Sequence, residues 1–238
     1  MPKRKSYAQG PSTRRGRGMA PGSSNKRVKR VAAPGYQRTG GFYGRYAGRG
    51  AEQKFFDTAL SFNFDATGEV PATGQLVLIP QGVTESTRVG RKCVIKSVQM
   101  KGVTNAVPGG GGPGATSAYL YLVLDKQCNG AAAAVTDVLT SNVLTTAFRN
   151  LANSSRFVIL KKWVWVHNAQ AGVATAFGTT QKRFDFYKKC NIPLEFSSTT
   201  GAITELKSNN LFLLAGADSL SDDTISMIGN CRVRFADN

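Results

Sequence analysis

After residue 51 the chain alternates between apolar and polar positions. In FFDTALSFNF (55–64), Phe56, Leu60, Phe62 and Phe64 fall on one face, with Asp57, Ser61 and Asn63 on the other. A period of two marks a half-buried strand, because successive side chains point to opposite sides of a sheet. Further strand-like runs follow at QLVLIP (75–80), KCVIKSVQMKGV (92–103), SAYLYLVLD (117–125), RFVILKKWVWVH (156–167), KRFDFYKK (182–189), NLFLLAG (210–216) and NCRVRFAD (230–237), with a short local one at IPLEF (192–196). Turn chemistry separates them: ATG, PGGGGPG, CNGAAAA, NAQAG and SSTTGA. Only DVLTSNVLTTAFRNL (137–151) carries a helix-like pattern, and it is short.

Eight substantial strands with long loops and little helix predict an all-β antiparallel sandwich or barrel. Long crossovers fit a single eight-stranded jelly roll, which closes two sheets over one core. The absence of an internal repeat argues against a propeller or solenoid. The alternation assigns Phe56, Leu60, Phe62, Ile95, Leu122, Leu124, Ile159, Trp163, Trp165, Phe184, Phe186, Leu211, Leu213, Val233 and Phe235 to packing.

Charge divides the chain. Residues 1–50 hold 13 of the 31 bases and no acid: Lys3, Arg4, Lys5, Arg14, Arg15, Arg17, Lys26, Arg27, Lys29, Arg30, Arg38, Arg45 and Arg49. Residues 51–238 carry the other 18 bases and all 14 acids, a net of +4. The organisation expected is a basic arm over 1–50 and one sandwich domain over 51–238. The arm is rich in Gly, Ser and Pro and poor in aliphatics. It cannot bury enough apolar surface to offset chain entropy and is expected to be disordered when free. A polycation of this kind suits nucleic acid, an anionic membrane surface or an acidic protein. Its distal part, GYQRTGGFYGRYAGRG, places Tyr36, Phe42, Tyr43 and Tyr46 among arginines, a pattern suited to stacking on unpaired bases or to packing beneath the domain.

Catalytic signatures are missing. There is no GxSxG elbow, no HExxH and no spaced Cys/His cluster, and the single histidine, His167, ends a strand and reads as structural. The glycines at 109–112 precede no Lys-Ser/Thr and read as a loop tip rather than a phosphate cradle. Asp222 and Asp223 sit in a serine-rich loop and read as solvated, since a cation needs more oxygen ligands than two adjacent carboxylates. No metal, cofactor or catalytic residue is expected. No apolar run approaches 18 residues and no signal-peptide core precedes the basic N-terminus, so no membrane insertion is expected. The four dispersed cysteines read as reduced thiols.

The segments GQLVLIPQGVTESTRVGRKCVIKSVQMKG (74–102), YLYLVLDKQCNG (119–130), NSSRFVILKKWVWV (153–166), KRFDFYKKCNIPLEF (182–196), TGAITELKSNNLFLLAGAD (200–218) and GNCRVRFAD (229–237), in this order behind an Arg-rich arm, resemble the capsid proteins of small circular single-stranded DNA viruses that encode a replication initiator, the group that includes circoviruses and geminiviruses. The resemblance implies a jelly-roll subunit that self-assembles, commonly as about sixty copies in an icosahedral shell with the arm turned inward. About sixty arms would bring roughly 780 positive charges to packaged single-stranded DNA, with a strong dependence on salt. It places the protein in the virion and the host nucleus.

Arg14 and Arg15, ten residues, then Lys26, Arg27, Lys29 and Arg30 are similar to a bipartite nuclear localisation signal, which makes nuclear import receptors a second expected partner. Within the domain, Arg232 and Arg234 alternate with Val233 and Phe235 and so face away from the core, and Arg91/Lys92, Lys161/Lys162 and Lys188/Lys189 cluster in pairs. Arg91, Lys92 and Arg232 are the favoured extensions of the arm's binding surface. Two other readings stay open: a jelly-roll coat around RNA, as in small satellite viruses, because charge does not read the 2′-OH, and a cellular nucleic-acid-binding sandwich or lectin.

Overall fold

The structure is a computed structural model that describes residues 53–107, 114–128, 130–169, 180–218 and 224–237. The arm, the glycine loop at 109–112 and the pair Asp222 and Asp223 lie outside the described residues.

The described chain is all-β, with two antiparallel sheets. One contains, in spatial order, β1 (Gln53–Phe64), β8 (Thr224–Asp237), β2 (Lys92–Val107), β5 (Thr180–Phe196) and β6 (Leu206–Ser208). The other contains β4 (Phe157–Ala169), β3 (Gly114–Asp125) and β7 (Asn210–Ala217). The main apolar layer lies between them. Leu60, Ile95, Leu122, Leu211, Leu213, Val233 and Phe235 are buried in it, and Phe56, Phe62, Leu124, Trp163, Trp165 and Phe186 pack against it. Each fully buried Leu, Ile or Phe contributes roughly 1.5–3 kcal/mol. Six aromatic rings form a seam across this layer: Trp163 and Trp165 on β4 meet Phe186 and Phe184 on β5 with centroids 5.1 and 5.4 Å apart, and Phe64 of β1, itself 5.4 Å from Phe62, meets Trp165 at 6.5 Å.

Ile159 belongs to a second apolar layer, on the far face of the three-stranded sheet. There Tyr121, Val123, Phe212 and Leu214 are covered by a segment containing Ala133, Val138, Leu139 and Leu144. This explains why NLFLLAGA in β7 is apolar without alternation and buried at every position: it lies in a strand with both faces covered.

β2 shows how a strand can change phase. Cys93 and Ile95 point into the core, and so do Val98 and Met100, so the inward set moves from odd to even numbers. Against β8 a bulge between Ile95 and Ser97 accommodates an extra residue in β2, Lys96, while against β5 the register shifts at the same place with the extra residue on β5.

Several elements differ from the sequence expectation. Residues 75–80 form no regular strand. They hold single bridges to β7, with the Leu76 N–H donating to the Leu211 carbonyl at 3.0 Å, and then the Ile79 N–H turns back to the Val77 carbonyl at 2.9 Å, which removes it from any ladder. The runs at 182–189 and 192–196 are one strand, β5, and β6 is an addition. The helix-like stretch at 137–151 yields one turn, α1 (Val135–Val138). Beyond it, polar side chains capture the backbone in loop form: Thr140 Oγ1 accepts from Phe148 N–H at 3.1 Å, and Asn153 Nδ2 donates to the Asp137 carbonyl at 3.1 Å.

The loops at the β2 end are organised by a residue the alternation could not single out. Arg88 is fully buried and donates from Nε to the Ile79 carbonyl at 3.0 Å, and from its terminal nitrogens to the Gly90 and Ser198 carbonyls. Its guanidinium lies 4.1 Å from the centroid of Phe196. Gly201, at φ +78°, lets the facing loop approach, since a Cβ there would sit 2.6 Å from the Ile79 carbonyl carbon. His167 is also fully buried, its Nε2 3.1 Å from Thr104 Oγ1.

Truncating the seam at Phe62→Ala or Trp163→Ala is expected to cost about 3–5 kcal/mol, read from denaturant melts. All four cysteines are free thiols. Burial pushes Cys93 and Cys231 up to about 12. Thiol reagents at pH 8 are expected to leave both unmodified in the native protein and to label them once it unfolds, as read by mass spectrometry.

Candidate nucleic-acid interface

The far face of the three-stranded sheet is covered over β3 and β7 and exposes Val164 and Val166 along β4, whereas the five-stranded sheet turns a broad polar face away from the core. Its registers define a grid. Across β1, β8, β2 and β5, the first row reads Asp57, Arg232, Gln99, Tyr187; the second reads Ala59, Asn230, Lys101, Asp185; the third reads Ser61, Ile228, Val103, Arg183. On the other side of the first row lie Phe55, Arg234, Ser97 and Lys189. All are on the face opposite Leu60, Met100, Phe186 and Val233 because side chains alternate. In β5 the outward set Arg183, Asp185, Tyr187 and Lys189 is exposed along its whole length.

Lys92, Lys101, Arg183, Lys189, Arg232 and Arg234 carry this face, and Lys96 and Lys207 reach the same side through Asn191 and Glu195. Eight bases stand against three acids, Asp57, Asp185 and Glu195, a net of +5. The whole of 51–238 nets +4, so the remainder of the domain is slightly acidic.

All three acids are engaged. Arg232 donates to both oxygens of Asp57 at 2.7 and 2.6 Å and lies 4.6 Å over the Phe55 ring. These hydrogen bonds hold the Asp57 carboxyl below the ordinary aspartate range, and the same carboxylate raises Arg232. Lys101 pairs with Asp185 at 3.1 Å, and Glu195 takes Lys92 at 3.5 Å and Lys207 at 3.6 Å. Among the described residues, Arg183, Lys189 and Arg234 have no carboxylate within ion-pair distance. Two shallow open grooves cross the grid, one of about 500 Å³ between Lys101, Val103, Arg183, Ile228 and Asn230, the other of about 520 Å³ between Asp57, Gln99, Lys101 and Arg232. Beside the first, Gly102 and Gly229 face each other across β2 and β8, and a Cβ on Gly229 would sit 2.5 Å from the Lys101 carbonyl oxygen.

The 13 arm bases expected to bind nucleic acid, including those of the localisation-like pattern, lie outside the described residues. Lys92 and Arg232 share the outward face, while Arg91 is exposed at its rim, its carbonyl accepting from Phe196 N–H at 2.8 Å. Lys161 and Lys162 belong to the other sheet, where Lys162 Nζ lies 5.2 Å from the Tyr121 ring centroid. Lys188 and Lys189 part company: Lys188 sits opposite the buried Val98, Lys189 outward. Sequence reasoning missed Lys101, Arg183 and Tyr187. The signal for the last two is present in KRFDFYKK, where Phe184 and Phe186 fix the opposite face.

In Asp57→Asn, the stability that the ion pair adds at neutral pH is expected to be lost. A carboxyl lowered by folding stabilises above its unfolded pKa and stops doing so as pH falls through its folded one. The gap between variant and parent is therefore expected to close in acid, below the usual aspartate range, in paired urea melts across pH. Compared with known proteins, the chain matches no protein-family model and no curated sequence.

Proposed function

We propose that this chain is a coat protein: its sandwich tiles with copies of itself into a closed shell, and its basic arm neutralises a packaged single-stranded genome, DNA by the resemblance of its segments. The observation that carries the reading is the nesting of strand pairs. With the bridged segment at 75–80 counted as the second strand and the three-residue β6 left out, the pairings run first with eighth (β1, β8), second with seventh (the segment, β7), third with sixth (β2, β5) and fourth with fifth (β3, β4). A single long antiparallel ribbon rolled on itself produces this nesting, and that is the construction of a jelly roll.

Two further features support it. The segment with 13 bases precedes β1 in the sequence, so the polycation is covalently attached to the sandwich. Phe148 and Leu151 are 79% and 77% exposed on one loop, and Val83 is 94% exposed on another, apolar tips suited to contact between copies. The arm's basic clusters serve import into the nucleus as well as packaging, and the reading assigns no catalytic step.

The test is expression of the full chain and of a variant lacking residues 1–50. Electron microscopy is expected to show closed particles of the full chain, with absorbance at 260 nm that nuclease removes only after disassembly. The truncated chain is expected to keep a β-type circular dichroism spectrum and to lose the nucleic acid. A full chain that stays monomeric at every ionic strength, or equal nucleic acid in both particles, overturns the proposal. DNase against RNase sensitivity of the extracted cargo decides which nucleic acid is carried.

A further inference from the structure

We infer that the outward face of the five-stranded sheet is a second binding surface for single-stranded nucleic acid, built into the folded domain and distinct from the arm. The inference rests on the packaging reading for the class of its partner.

Its cations are arranged for a linear polyanion. Lys189 and Arg183 stand six residues apart on β5, about 20 Å at 3.4 Å per residue, with Tyr187 between them. Lys101 lies beside this line on the adjacent strand β2 and Arg232 one strand further on β8, and each is steadied by a carboxylate, so its position is set before a ligand arrives. The unpaired Arg183, Lys189 and Arg234 leave excess positive charge for phosphates. Tyr187 is 51% exposed, a large aromatic on a polar face, and provides a platform on which a base can stack. Gln99 and Asn230, adjacent on the grid, offer amide groups to base edges without demanding one base. A net of +5 also disfavours the obvious alternative occupant, the same face of a second copy, because like charges would be brought together. A duplex is a poorer fit: an exposed tyrosine ring can stack on a splayed base but not on one held inside a paired stack.

The experiment uses the full chain. Ultraviolet cross-linking to oligothymidylate, mapped by mass spectrometry, is expected to place adducts on Tyr187 as well as on the arm. In salt titrations of oligothymidylate binding, the double variant Arg183→Gln/Lys189→Gln is expected to reduce the slope of log K against log salt by about 1.4, at roughly 0.7 for each phosphate that is no longer neutralised. Lys161→Gln/Lys162→Gln removes the same charge from the other sheet and is expected to leave the slope unchanged. Tyr187→Ala is expected to weaken binding about tenfold. Adducts confined to the arm, together with equal slopes for the two double variants, overturn the inference, even if particles form and package. Adducts on Tyr187 in a chain that never assembles leave this surface standing and remove the coat-protein reading instead.

Discussion

A β-strand has two faces, and in this protein the apolar layer between the sheets decides which one each strand turns to water. Because side chains alternate with a period of two, a slip of one residue in any ladder would drive a whole set of charges into the core. The register of β1, β8, β2 and β5 is therefore pinned by Leu60, Val233, Met100 and Phe186, and the places of Arg232, Lys101, Arg183 and Tyr187 follow from that pinning. The cationic face is a by-product of hydrophobic packing in the sense that no separate device is needed to display it. Its ion pairs tune it rather than hold it, since exposed pairs contribute little to stability.

The two sheets play unequal parts. The three-stranded sheet is covered on both sides at β7 but open along β4, and Asp125, nearly inaccessible at the end of β3, is held there by a two-pronged bond from Arg156 at 2.8 and 2.7 Å. The five-stranded sheet has one face inside and one face open. The broadest polar surface among the described residues is thus on the five-stranded sheet. Arg88 belongs to the scaffold rather than to that surface: it ties three loop carbonyls together without a carboxylate, and burial lowers its pKa from the ordinary arginine value.

Much of this was legible in the sequence, for a physical reason. Alternation reports burial directly, so the fifteen residues assigned to packing all lie in or against an apolar layer, Ile159 in the second one. Elements governed by something other than alternation were less legible. QLVLIP has a strand's composition, but a tight turn at Val77–Ile79 takes it out of the ladder, and nothing in its apolar content announces that bond. The 137–151 stretch has helical spacing, but its Ser, Thr and Asn side chains compete for the backbone and win beyond one turn. The candidate surface was legible in part: Arg232 could be placed by its neighbours Val233 and Phe235. Lys101 could not, because β2 changes phase before reaching it, and pairs of adjacent bases such as Lys188 and Lys189 necessarily split between opposite faces.

That change of phase makes β2 behave like two short messages joined by a spacer. Lys96 is the spacer, and its identity matters less than the bulge that takes it out of step. Many side chains can stand at a bulge, but straightening it with the residue retained would run one frame through both halves, exposing Val98 and Met100 while sending Gln99 and Lys101 inward. The local kink, more than the letter that occupies it, is therefore what keeps the two halves of this strand turned the same way.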